Sequence, residues 1–273
     1  MKKTIDHLLL HEGEMEKHHE KAIQKHKNLV PFDINLDTSE YGGAIIGKEV
    51  ASFSSKMTDR QRLDFIMTKI FAQLHAEHEA KGSMEGESGK IWYKAYARCL
   101  SHVGYAIDGF SFGELESHKA DASISEVAIQ ALIAAAIFTI PGAEVAAGNA
   151  VRKSLSAIKV ADKDGDGKVT FFSHSASHAG EVKFQISAGT LNEAGNVSAV
   201  LGAYLTKNSK ENTDFLWMSW SSSSQSVWYS SQMIELDDEV FSYIRSSMLE
   251  RVKKFMIKYV KLIPLADDLG DLY

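Results

Sequence analysis

The sequence predicts an α+β protein in three layers: a central, mainly antiparallel sheet wrapped by helix layers in α/β/α order. Three observations point there. Residues 58–158 carry apolar side chains at helical spacing. Residues 167–234 switch to period-two alternation, with a Gly- and Asn-bearing connection. Residues 237–262 return to helical spacing. One sheet covered by helix layers accommodates this order.

The first thirty residues read as a polar helical arm. His7, His11, His18, His19 and His26 alternate with Glu and Lys, and few apolar residues are available to bury. Pro31 ends the arm, and a loop is expected through Asp33 and Asp37 to Gly42-Gly43. Residues 31–273 then form one domain, with a helical half at 58–158, a sheet half at 167–234 and the C-terminal helix at 237–262.

Thr58 opens the first long helix, to about Ala80, with Gln61 in the capping-box position. Leu63, Ile66, Ile70 and Leu74 repeat at helical spacing. A turn at Gly82–Gly89 leads to a second helix from Lys90 to Ile107, with Trp92, Tyr96, Cys99, Val103 and Ile107 on its apolar face. Ser123 and Glu126 form another capping-box pair. They open Val127–Ile140, in which only Gln130 and Thr139 are polar, and Pro141-Gly142 breaks it before a small-residue helix to about Ile158. In the sheet half, Val182, Phe184, Ile186 and Ala188 alternate with Glu181, Lys183, Gln185 and Ser187. A hairpin turn is expected at Asn192–Asn196. Further strands are expected at Val197–Thr206, Asp214–Ser221 and Gln225–Ile234. Asp237, Asp238 and Glu239 suit the positive end of the last helix.

Composition narrows the function. The net charge is −6 and the pI about 6.0, so no basic field exists for nucleic acid. Protonating the eleven histidines would carry the charge to +5, so acid could reverse the surface charge. A single cysteine precludes an internal disulfide. Leu8-Leu9-Leu10 is too short for the apolar region of a signal peptide. The expectation is a chain made in the cytoplasm that leaves, if it leaves, by a non-classical route.

Several motifs bear on chemistry. Val127–Ile140, with Val127, Ile129, Leu132, Ile133, Ile137, Phe138 and Ile140, is 14 residues long, short of the about 20 that span a bilayer. It reads as a core helix or as a layer stored against the sheet and released onto lipid. The C-terminal helix is basic along Arg245, Arg251, Lys253, Lys254, Lys258 and Lys261, as an ordinary half-buried helix or one lying on an anionic membrane can be. Asp162, Asp164 and Asp166 space carboxylates like the start of a calcium loop. The twelfth position is Ser173 rather than Glu, so a turn is expected, with weak calcium binding at most. Gly109–Gly113 matches the nucleophile-elbow pattern around Ser111, which defines the alternative of a serine hydrolase. The helical context before it argues for a loop and against an enzyme. His75-Ala76-Glu77-His78 lacks zinc-protease spacing. Cys99 reads as a buried inert thiol or as an acyl acceptor.

Val169–Leu236 resembles the Cyt-type cytolysins of insecticidal bacteria. The likeness lies in the paired aromatics Phe171-Phe172, the strand and hairpin from Phe184 to Val197, the strand pair from Leu201 to Trp217, and the apolar helix-turn-helix upstream at Val127–Ile158. The same fold is similar to that of the Evf-type virulence factors. The resemblance implies a soluble bacterial toxin or virulence factor that binds lipid, perturbs membranes by moving helix layers off the sheet, and can oligomerise there. It also implies, as an alternative, a non-catalytic module holding a fatty acid or a cysteine-linked acyl chain such as palmitate. The only thiol available for that role is Cys99, in the helical half; the sheet half offers serines such as Ser209 and Ser219.

Overall fold

A computed structural model describes residues 32–35, 41–81, 88–114, 123–137, 177–178, 181–207 and 226–262. The elements in chain order are β1 (Phe32–Asn35), β2 (Tyr41–Ile46), β3 (Glu49–Ser54), α1 (Asp59–Ala80), α2 (Ser88–His102), β4 (Tyr105–Ala106), β5 (Gly113–Glu114), α3 (Ile124–Ile137), β6 (Ser177–His178), β7 (Glu181–Leu191), β8 (Val197–Lys207), β9 (Val227–Leu236) and α4 (Asp238–Leu262). The polar arm, the helix after Pro141, the Asp162–Asp166 turn, the Asp214–Ser221 strand and the positions Phe138 and Ile140 lie outside the described residues, as do Ser209 and Ser219.

The fold is α+β, as expected. Its sheet runs β1-β2-β3-β7-β8-β9-β4, with β5 also pairing β9 and β6 pairing β7. All described pairs are antiparallel except β3–β7, which is parallel. Two apolar clusters lie on opposite faces. One gathers Phe65, Ile70, Trp92, Leu100, Phe241 and Met248 from α1, α2 and α4 against Phe53, Leu201 and Ile234 of the sheet. The other gathers Val127, Ala128 and Leu132 of α3 against Val182, Phe184, Ile186 and Val200. The sheet is therefore the middle layer.

Local chemistry explains most element boundaries. The Thr58 side chain accepts the Gln61 N–H and the Gln61 side chain accepts the Thr58 N–H, so the capping box forms. Ser123 Oγ accepts the Glu126 N–H at the start of α3. Asp237 Oδ1 accepts the Val240 N–H, which makes Asp237 the cap of α4. At the β7–β8 hairpin, Asn192 Oδ1 accepts the N–H groups of Ala194 and Asn196. The amides of Asn192 and Asn196 both donate to Glu235 Oε1, tying the turn to β9.

Three expectations are corrected. The segment read as a loop from Asp33 to Gly42-Gly43 carries β1 and the start of β2, and the β2–β3 hairpin turns on Gly47-Lys48, with Gly47 at φ +55°. The sheet thus draws strands from both halves of the chain. The second helix ends at His102 rather than Ile107, because Gly104 takes φ +102° and the chain turns into β4. The buried stripe of α1 is also rotated from the predicted one. Leu63 is 38% exposed, whereas Phe65, Lys69 and Ala72 join Ile66 and Ile70 inside.

Candidate functional site

The sheet is held to its two helix layers by different physics. On the α3 side the contact is apolar. Ile124, Val127, Ala128, Ile129, Ala131 and Leu132 are buried, with Ile133 packed at the margin. Their seat is the even-numbered face of β7, Val182 to Ala188, together with Val200 and Tyr204 of β8. Tyr204 stacks on Phe184, with ring centroids 4.8 Å apart, and its Oη donates to the Ala128 carbonyl at 2.6 Å. Of the predicted lipid-facing residues, Val127, Ile129 and Leu132 are buried in this interface and Ile133 borders it. Ile137 closes the described helix.

The α1–α2 side combines apolar packing with a polar seam. The odd-numbered residues of β7 (Glu181, Lys183, Gln185 and Ser187) face these helices, and all four are buried. Glu49, opposite Gln185 across the parallel β3–β7 pair, points the same way. Its Oε1 lies 3.2 Å from Lys69 Nζ of α1 and accepts a hydrogen bond from Ser187 Oγ at 2.5 Å. Its Oε2 accepts from Tyr96 Oη of α2 at 3.2 Å. Glu49 and Lys69 are both completely buried. The ammonium also lies 4.9 Å from the Phe65 ring centroid and 5.8 Å from that of Tyr96. Burial holds the Lys69 pKa below the usual lysine range, with Glu49 opposing.

The seam continues along both helices. Lys183 Nζ donates to Ser88 Oγ at 2.7 Å, and Glu181 Oε2 accepts the Gly89 N–H at 3.0 Å. A Cβ on Gly89 would stand 2.6 Å from Leu205 Cδ1, so glycine there lets α2 approach the sheet. Tyr93 Oη lies 2.8 Å from the carbonyl oxygens of both Phe184 and Tyr204. On β2 and the turn after it, Gln73 Nε2 donates to the Ile46 carbonyl and Gln73 Oε1 accepts the Lys48 N–H. Such directional bonds in a low-dielectric interior are costly to break one partner at a time.

The remaining predicted positions fall elsewhere. Cys99 is fully buried on α2, and burial pushes its thiol up to about 12, so it is a poor nucleophile where it stands. Ser111 is exposed in the connection between β4 and β5, and its N–H donates to Ser230 Oγ at 3.1 Å. A strand follows it rather than the helix that a nucleophile elbow requires. His75 is buried on α1 with neither ring nitrogen hydrogen-bonded, while His78 is half-buried. Among the described residues, no group of three or more His, Cys, Asp or Glu is arranged to hold a metal. No described helix is long and apolar enough to cross a membrane.

Sequence reasoning missed the seam. Glu49 lay in a segment not read as a strand. The polar half of the β7 alternation reveals two faces but not that both are dry. A usable signal was Lys69, which sits between Ile66 and Ile70 on the buried side of α1.

No protein-family profile matches the chain, and no curated protein matches it. Among solved structures it is similar to the Evf virulence factor. The two share 14% identity with a TM-score of 0.39, over 88% of this chain and 89% of that one.

Proposed function

We propose that this protein is a lipid-engaging factor of the toxin or virulence class, which meets lipid by lifting the α3 layer from the sheet. The observation that carries the mechanism is the asymmetry between the two interfaces. The α3 contact is apolar on apolar, apart from the Tyr204–Ala128 hydrogen bond. Acyl chains can replace such a contact with little loss, because hydrocarbon is as apolar as the side chains it displaces. The α1–α2 contact adds to its apolar packing an ion-paired, hydrogen-bonded seam that hydrocarbon cannot replace. The layer that exchanges its partner is therefore α3. The sequence resemblance supplies the toxin or virulence setting; the asymmetry supplies the moving part.

The test is flotation of the full chain with vesicles of mixed neutral and anionic lipid, paired with dye release. Association accompanied by deprotection of α3 amides is the expected result. Absence of both association and leakage at neutral and acid pH refutes the proposal. Mass spectrometry of an organic extract separates release onto membranes from carriage of an acyl chain between α3 and the sheet.

A further inference from the structure

The two helix layers meet the sheet at one shared strand pair. Phe184 and Tyr204 are partners across β7 and β8. On one face their rings stack, and Tyr204 Oη donates to the Ala128 carbonyl of α3. From the other face, Tyr93 of α2 reaches the backbone of the same pair. Its Oη lies 2.8 Å from both carbonyl oxygens and accepts the Tyr204 N–H at 3.3 Å. A phenol carries one proton, so the two carbonyls share it and neither fixes the hydroxyl alone. The packing of the Tyr93 ring therefore helps to set where the hydroxyl sits.

Part of that packing comes from the surface. The rings of Phe110 and Phe112 lie 5.2 and 5.0 Å from the Tyr93 ring. Both are half-buried in the connection between β4 and β5, with Ser111 exposed between them. Ala106 pairs with Glu235 and Gly113 with Tyr229, so six residues, 107–112, run opposite five, 230–234, as in a one-residue bulge. Among the described residues, no backbone–backbone hydrogen bond joins this stretch to β9. Side chains tether it instead. Gln232 Oε1 accepts the Asp108 N–H at 3.2 Å, Gln232 Nε2 donates to the Gly109 carbonyl at 2.7 Å, and Ser230 Oγ accepts the Ser111 N–H. A strap held by a few side chains opens at lower cost than a laddered strand.

We propose that residues 107–112 are a regulatory strap, and that Tyr93 is a positioning residue coupling the strap, through the Phe184–Tyr204 pair, to α3 across the sheet. This rests on the reading of α3 as the moving layer and names what controls it. With the strap closed, Phe110 and Phe112 hold the Tyr93 ring, its hydroxyl fixes the backbone at Tyr204, and the Tyr204 ring is aimed at Ala128. With the strap lifted, the Tyr93 ring loses two aromatic neighbours and keeps Trp92. The hydroxyl is then less firmly seated, and the Tyr204–Ala128 bond weakens. Lifting the strap at the β9 edge thus favours release of α3 on the opposite face. By linkage, release of α3 loosens the strap to the same degree.

The experiment is a double-mutant cycle on the full chain, read by hydrogen exchange of α3 peptides without lipid. Tyr93→Phe removes the shared hydroxyl. Gln232→Leu removes both Gln232 tethers from the strap, at a residue outside α2, α3 and the Phe184–Tyr204 pair. Each should speed α3 exchange at least about twofold in the native background. Each ratio should be smaller in the Tyr204→Phe background, where the bond to Ala128 is already gone. No acceleration of α3 overturns the proposal. So does an equal ratio in both backgrounds, which is what general loosening of the fold gives. If Tyr93→Phe fails to fold, the Gln232→Leu pair decides the matter by the same criteria. Because no lipid is present, failure of the coupling is distinct from failure of vesicle association.

Discussion

Replacing Tyr204 by Phe probes the α3 interface with the smallest possible change. The ring stays stacked on Phe184, and what disappears is the Oη donor to the Ala128 carbonyl. A neutral hydrogen bond contributes about 0.5–1.5 kcal/mol net, because the lost partner would otherwise be water. The Ala128 carbonyl lies within α3 and keeps access to its helical partner, so the deletion leaves no orphaned acceptor. At about 1 kcal/mol, the opening constant of the α3 layer rises about fivefold. Hydrogen exchange read by mass spectrometry resolves this. Peptides covering α3 should exchange about fivefold faster at fixed pH, while those covering α1 and α2 keep their rates, since the seam is untouched. Vesicle association should rise in step. Equal acceleration in α1 and α3 would mean that the layers open as one unit, which refutes the reasoning; so would no acceleration at all.

Gly202→Ala attacks the same interface from beneath. A Cβ there would stand 2.5 Å from Tyr204 Oη and 2.8 Å from the ring, which the Phe184 stack holds in place. We expect a loss of about 1–3 kcal/mol in urea unfolding and faster α3 exchange. His75 makes stability depend on pH. Burial, with Glu79 opposing and Arg98 adding, pushes its pKa down to about 4 from 6.5. The unfolded chain therefore binds the extra proton first, and stability falls as pH drops from 6.5 through about 4. The loss is on the order of 3 kcal/mol for the full shift. His75→Leu should flatten that part of the pH profile of the urea midpoint; an unchanged slope would show that other groups carry it. Thr58→Ala removes the acceptor for the Gln61 N–H at the start of α1, costing about 1 kcal/mol with no change in α3 exchange.

Much of this architecture is written locally. The α1 start follows from Thr58 and Gln61, the α3 start from Ser123, the α4 start from Asp237, and the β7–β8 hairpin from Asn192 and Gly195. Each is a side chain meeting backbone groups a few residues away. Period and caps therefore determined the long helices, the central hairpin and the α+β class. The α3 stretch was legible as an apolar helix, because an almost unbroken apolar run needs no partner to be recognised.

Only the tertiary structure decided what each face meets. Alternation along β7 shows that Glu181, Lys183, Gln185 and Ser187 share a face; it does not show whether that face is wet. Burial there depends on α1 and α2, which lie far earlier in the chain, and on β3 pairing in parallel with β7. Parallel pairing joins segments that no short turn connects, so no local signal announces it. Glu49 and Gln185 are unremarkable polar residues in the sequence, and only the place of Lys69 between Ile66 and Ile70 hints at burial. The three become a buried polar cluster, with Glu49 and Lys69 ion-paired, only when three elements close around them and exclude water, because water is what otherwise screens the charges and satisfies the amide.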